Sequence, residues 1–233
     1  MKPNFTLSLS FDGIRLLHRT AGGWRLVGEV ALDSTDLPSE LAVLRKTATA
    51  LDSGGLRSLL LIPDAQIKYL TIDTPGADSA ARRAAAAAAL EGATPYAVAG
   101  LVFDVSVDGT QTHVAAVARE TLEEAEAFAV EHRFHPVSFA AAPAAHPFDG
   151  APHFGATKAA SELLEPGESV EPEAAAIVIT GVMSAPEGPI ADTNATTAVA
   201  DVPAAQQPEP ELAPTPEDTP PPVEEDLPEL AAP

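Results

Sequence analysis

The chain is 233 residues long, contains no cysteine and carries a formal net charge of −21. Without thiols it has neither a disulfide framework nor a thiolate metal site, and without clustered Lys and Arg it has no counterion-release footprint for nucleic acid or an anionic membrane. No apolar stretch approaches the ~20 residues that a spanning helix needs, and the opening Met1-Lys2-Pro3-Asn4-Phe5-Thr6 lacks a continuous apolar run, which reads as no signal peptide and a cytoplasmic chain.

Phe5, Leu7 and Leu9 alternate with Thr6, Ser8 and Ser10, and Ile14 to Arg19 follows Asp12-Gly13, which predicts a β-hairpin closed by a tight turn at Asp-Gly. Gly22-Gly23 turns the chain again into a third strand, Trp24 to Leu32. Asp36 or Ser39 caps a helix with Pro38 near its start, apolar at Leu41, Leu44, Ala48 and Leu51 and stopped by Gly54-Gly55. Leu56 to Ile62 is a continuous apolar run and reads as a buried strand. Pro63-Asp64 breaks it, Ile67 to Ile72 is the next strand, and Thr74-Pro75-Gly76 closes that one. Asp78 or Ser79 caps an alanine-rich helix to Leu90 whose small side chains pack thinly. Gly92 and Pro95 end it, and Leu101–Val107, Asp108-Gly109 and Thr112–Ala118 form a second hairpin. Thr121 is placed as the cap of a helix with Leu122, Ala125, Phe128 and Ala129 inward and Glu123, Glu124, Glu126 and Glu131 mostly outward. Pro136 ends that helix, and Val137 to Ala141 is a last short strand. The order βββαβ, then βαββαβ, predicts an α/β fold with mixed sheets.

Beyond Lys158 the composition changes. Ala159 to Pro233 holds no Lys, no Arg and no aromatic residue but 16 acids and 14 prolines, and it carries −16 of the net charge. Such a segment has little apolar mass to offset the entropy of ordering. The expected organisation is therefore a domain at 1–157 and a disordered acidic Pro/Ala-rich tail at 158–233. Within the tail, Ala174 to Val182 is an apolar island, read either as a chance patch or as a short motif that adds a strand to a partner's sheet edge.

Three stretches carry a family resemblance: the opening hairpin Leu7 to Arg19, the strand–proline–strand run Leu59 to Pro75, and Leu90 to Pro143 with its Pro95-Tyr96 turn, hairpin, helix and proline-led strand. Together they resemble the N-terminal lobe of the actin-like, ribonuclease H-like proteins of bacterial pilus and secretion machines, the PilM and GspL type. The resemblance implies half of an actin-like fold (βββαβ) plus a small βαββαβ subdomain that serves protein contacts. Family members that bind ATP have an Asp on the first strand and a Gly/Ser/Thr-rich phosphate loop. Here that strand position is Ser10, and the loop has shrunk to Asp12-Gly13. A two-residue turn offers too few N–H groups to cradle phosphate. No second lobe and no GspL-like anchor follows in the sequence, so ATP binding is not expected to carry over.

The histidine pair His132-x-x-His135, with His146 and His153, sits badly for a metal because Pro136 ends the helix there. Asp12, Asp73 and Asp104 lack the mid-strand carboxylate that a two-metal nuclease requires. There is no G-x-S-x-G elbow and no phosphate-loop motif. No catalytic, cofactor or metal residue is therefore assigned. Trp24, Tyr69 and Tyr96, aromatics with polar tips, and Arg82 and Arg83, which attract acidic segments, are the candidate partner-binding residues. The expected function is a non-enzymatic protein-binding adaptor or scaffold for a peptide or helix of a membrane-assembly component, contacting residues 75 to 143. An actin-like ATP-binding protein completed by a second lobe in trans is the alternative. A translation initiation-related factor is a further one, which the acidic charge does not support.

Overall fold

A computed structural model describes residues 1–143 and 145–183. The three-strand meander β1 (Phe5–Leu9), β2 (Ile14–Thr20) and β3 (Gly23–Val30) is antiparallel throughout. Helix α1 (Leu37–Leu51) follows, capped by Asp36, whose side chain accepts from Ser39 N–H. Strand β4 (Ser58–Ile62) then runs parallel to β1. The chain leaves this sheet for β5 (Ile67–Asp73), α2 (Ser79–Leu90), β6 (Leu101–Asp108) and β7 (Gln111–Ala118), which form a separate three-stranded sheet in the order β5-β7-β6 with α2 against it. Helix α3 (Arg119–Glu131) and β8 (Pro136–Ala141) return to the main sheet beside β4. The strand order β3-β2-β1-β4-β8 is that of a ribonuclease H-like, actin-like half, extended here at both edges.

The core explains the layers. Phe5, Leu7, Leu16, Leu60 and Phe139 point to one face of the main sheet and meet Leu41 and Leu44 of α1 and Leu122 and Ala129 of α3. Only Ala86 and Leu90 of α2 are buried, as the thin alanine face implies. Between α3 and β8 the chain turns sharply to insert Phe134, which is fully buried. Arg133 adopts a left-handed conformation (φ 57°) while Phe134 N–H donates back to Ala129 O at 2.8 Å, a helix-ending geometry usually built on glycine.

Three local expectations need correction. The first hairpin is closed around Phe11-Asp12: Ser10 and Gly13 exchange backbone hydrogen bonds at 3.1 and 3.3 Å, so Gly13 flanks the turn, where an added Cβ would stand 2.8 Å from Val30 O. Helix α3 begins at Arg119, directly after β7 and with no side-chain cap, so Thr121 lies inside the helix. Glu126 does not face solvent; it is buried and accepts Ala159 N–H at 2.8 Å.

The boundary at 157/158 also moves. Strand β9 (His153–Ala156) pairs antiparallel with β8, α4 (Ala160–Leu163) packs on β8, and β10 (Ile179–Val182) pairs parallel with β3. The physical reason is the second face of the main sheet. Leu17, Leu59 and Ala140 point away from α1 and α3, and they are covered by Ala151 and Ile177. The apolar island at 174–182 is thus part of the folded domain, docked on this chain's own sheet edge. The remaining tail residues, 184–233, lie outside the described residues.

Candidate functional site

The carboxyl ends of β1 and β4 lie side by side, and in open α/β sheets this is where crevices form. A groove of about 300 Å³ opens there. Its floor is Leu9, Ile14 and Ile62, one wall is Ala125 and Phe128 of α3, and its mouth carries Phe11 and Leu32. Phe11 is 72% exposed, the most exposed large apolar side chain among the described residues. It projects from the turn because Ser10 and Gly13 fix each other and Ser10 Oγ also donates to Gly13 O at 2.9 Å. Polar groups are few: Ser10, Gln66, Thr121 and Glu124. A largely apolar groove with a few polar groups suits an apolar side chain or short peptide.

The five sequence-nominated residues do not converge on this groove. Trp24 is 4% exposed, with the Arg19 guanidinium 4.3 Å above its ring. Tyr69 stacks on His146 at 3.9 Å, and its hydroxyl, buried and beside Asp64, has its pKa pushed well above the usual phenol range, chiefly by burial. Tyr96 is exposed on the loop after α2. Arg82 is a structural clamp: it donates to Ala77 O, Thr74 Oγ1 and Thr112 Oγ1 at 2.7 to 2.9 Å, tying α2 to the strands beneath. Arg83 lies over Phe103 at 4.5 Å and donates to the Phe103 carbonyl. Arg82 is thus occupied within the fold, and Trp24 is covered.

The other weighed side chains are likewise structural. Asp104 accepts from His153 N–H and Val105 N–H, both at 2.9 Å, which holds the segment before β9 against the small sheet. His132 packs on Phe128, and His135 adopts a left-handed conformation (φ 48°). Burial lowers the His135 pKa, with Arg57 and Arg45 adding to the effect. Phe11 was the residue that sequence reasoning missed. Its signal was a large aromatic placed inside a tight turn, where no core can reach it.

The chain matches no family model and no curated protein. Solved structures do match. It is similar to the cytoplasmic domain of EpsL, an inner membrane component of the type II secretion system of Vibrio cholerae, at 16% identity over 58% of this chain and 55% of that chain, with a TM-score of 0.43. It is similar to a structure of the PilM-PilN type IV pilus biogenesis complex at 16% identity over 60% of this chain and 48% of that chain, TM-score 0.44. A Bacteroides thetaiotaomicron protein with an actin-like ATPase fold and unknown function matches at 15% identity over 60% of this chain and 52% of that chain, TM-score 0.32. The chain spans about half the length of each of these structures, a secretion component, a pilus assembly complex and an actin-like protein to which it is similar.

Proposed function

We propose that the chain is a non-enzymatic adaptor that binds a protein partner and takes a short amphipathic segment of it into the groove between the β1–β2 turn and α3. The observation that carries this reading is the exposed Phe11 ring held at the mouth of an apolar groove. A ring fixed on a two-residue turn loses little freedom when a partner covers it, and buried aromatic anchors supply a large share of binding energy. Glu124 beside the apolar lining favours a segment with a Lys or Arg next to its apolar residues. The turn also supports the non-enzymatic part: the Ser10 and Gly13 N–H groups bond across the turn, so neither is free to hold a phosphate. The assembly setting, a pilus or secretion machine, follows the sequence resemblance of Leu59–Pro75 and Leu90–Pro143.

The test is fluorescence anisotropy of the full chain with labelled amphipathic peptides carrying a Lys beside their apolar face, against scrambled controls. Phe11→Ser should weaken binding roughly 30-fold, as loss of an interface anchor does. Because Phe11 is outside the core, the variant should melt as the parent does. Equal binding by parent and variant would refute the groove. A saturable rise in melting temperature with Mg-ATP would refute the non-enzymatic reading, since a ligand of the native state must stabilise it.

A further inference from the structure

Beyond β3, at the edge of the main sheet opposite β9, the described residues supply one short strand, β10. Strand β10 pairs with Trp24, Arg25 and Leu26, with a register irregularity between Ile179 and Gly181. Trp24 N–H donates to Val178 O at 3.4 Å, Met183 N–H to Leu26 O at 2.7 Å, and Thr180 Oγ1 to Trp24 O at 3.2 Å. From Val27 to Val30 the same edge has no strand partner among the described residues. Two side chains anchor the segment upstream of the strand. Glu173 is ion-paired with Arg19, whose guanidinium lies over Trp24. Ile177, four residues on, is buried with Trp24, Leu17 and Ala151. The strand itself adds little burial, because Val178, Ile179 and Val182 all keep about half or more of their surface in water.

A segment held by two anchors and a few backbone bonds is a replaceable occupant. We propose that the outer edge of β3 is a strand-docking surface for an extended protein segment. The surface reads an acidic residue at Arg19, an apolar residue four positions later beside Trp24, and uncharged β-branched residues along Trp24 to Val30. Residues 173–182 of this chain occupy it in cis. Strand addition of this kind takes affinity from main-chain bonds and specificity from side-chain pockets. The partner chemistry is defined by the cis occupant: Glu173 meets the cation, Ile177 the aromatic, and Ile179-Thr180-Gly181-Val182 carry no charge. A partner segment that continues along Val27 to Val30 makes backbone bonds that residues 173–182 do not make.

Trp24 is the single tryptophan and reports on this surface directly. The probe is a labelled peptide with the sequence of residues 173–182, titrated into the full chain and into full-length Ile177→Ser. In that variant Trp24 emission should shift to the red, and the peptide should reverse the shift and bind about ten-fold more tightly than to the parent, because the competent fraction has risen. Adding Arg19→Gln should abolish binding. The proposal is overturned if Ile177→Ser still melts cooperatively with Trp24 exposed yet does not bind the peptide, or if parent and variant bind it equally. If Ile177→Ser does not fold, hydrogen exchange on the parent chain decides. The Met183 amide should exchange about a hundredfold faster than the amides of β4, as a locally opening segment does. Exchange of Met183 only on global unfolding would overturn the proposal.

Discussion

Glu126 tests whether the segment after residue 156 belongs to the domain. The residue is 8% exposed, and its carboxylate accepts Ala159 N–H at 2.8 Å, at the turn that carries β9 into α4. A hydrogen bond to a charged group contributes about 1.5–3 kcal/mol. Relief of the desolvation of a largely buried carboxylate offsets part of that, and alanine gains slightly in helix propensity. The net expectation for Glu126→Ala is about 1–2 kcal/mol of destabilisation, and roughly half of that for Glu126→Gln, which retains a neutral acceptor. With a urea slope of about 2 kcal/mol/M, the alanine variant should unfold at a midpoint lower by ~0.5–1 M. Glu123→Ala is the control: its partner Lys158 is an exposed surface ion pair, which contributes little. An unchanged midpoint for Glu126→Ala, or an equal loss for Glu123→Ala, would refute the reasoning and return residues 158–163 to the tail.

Phe134→Ala should cost about 3–5 kcal/mol in chemical denaturation, because a fully buried ring would leave a cavity behind the α3–β8 turn. Arg133→Gly should stabilise the chain by up to about 1 kcal/mol in the same assay, since glycine adopts the left-handed conformation without the Cβ penalty. Burial lowers the pKa of His153 and of His135, so the unfolded chain binds more protons near neutrality. Their stabilising contribution is therefore complete above the unfolded-state value of about 6.5 and is lost as pH falls toward the depressed folded values. Urea midpoints should drop from pH 7.5 to 5.5, and His153→Gln should flatten part of that slope.

The regular elements through β8 were legible because their signals are local. Alternation fixed β1 to β3, Asp36 and Asp78 marked helix starts, and Asp108-Gly109 closed the second hairpin. The folded part of the tail was not legible from composition, because ordering there depends on a distant surface. The hint lay in Leu59-Leu60-Leu61-Ile62: a run apolar on both sides requires cover on both sides. The helices α1 and α3 supply one cover, and the other had to come from elsewhere in the chain. Ile177 and Ala151 provide it. The surroundings of two nominated residues were hidden for a related reason. A tryptophan or arginine looks available in sequence, but Trp24 faces a cover that composition does not reveal, and Arg82 serves the nearby threonines.

The loop before β9 has a geometric consequence for the small sheet. Two covalent crossings, β4 to β5 and β7 to α3, join that sheet to the main one, and both enter through β5 and β7. Two attachment points define an axis about which a body can rock. Strand β6 is the strand away from the β5 entry, and there Asp104 holds His153 N–H while Ser106 Oγ accepts Asp149 N–H at 3.1 Å. A third tether set off the axis removes that rotation, as a third leg steadies a stool. The two hydrogen bonds at β6 therefore oppose rocking of the small sheet on the main one, at the edge that neither chain crossing reaches.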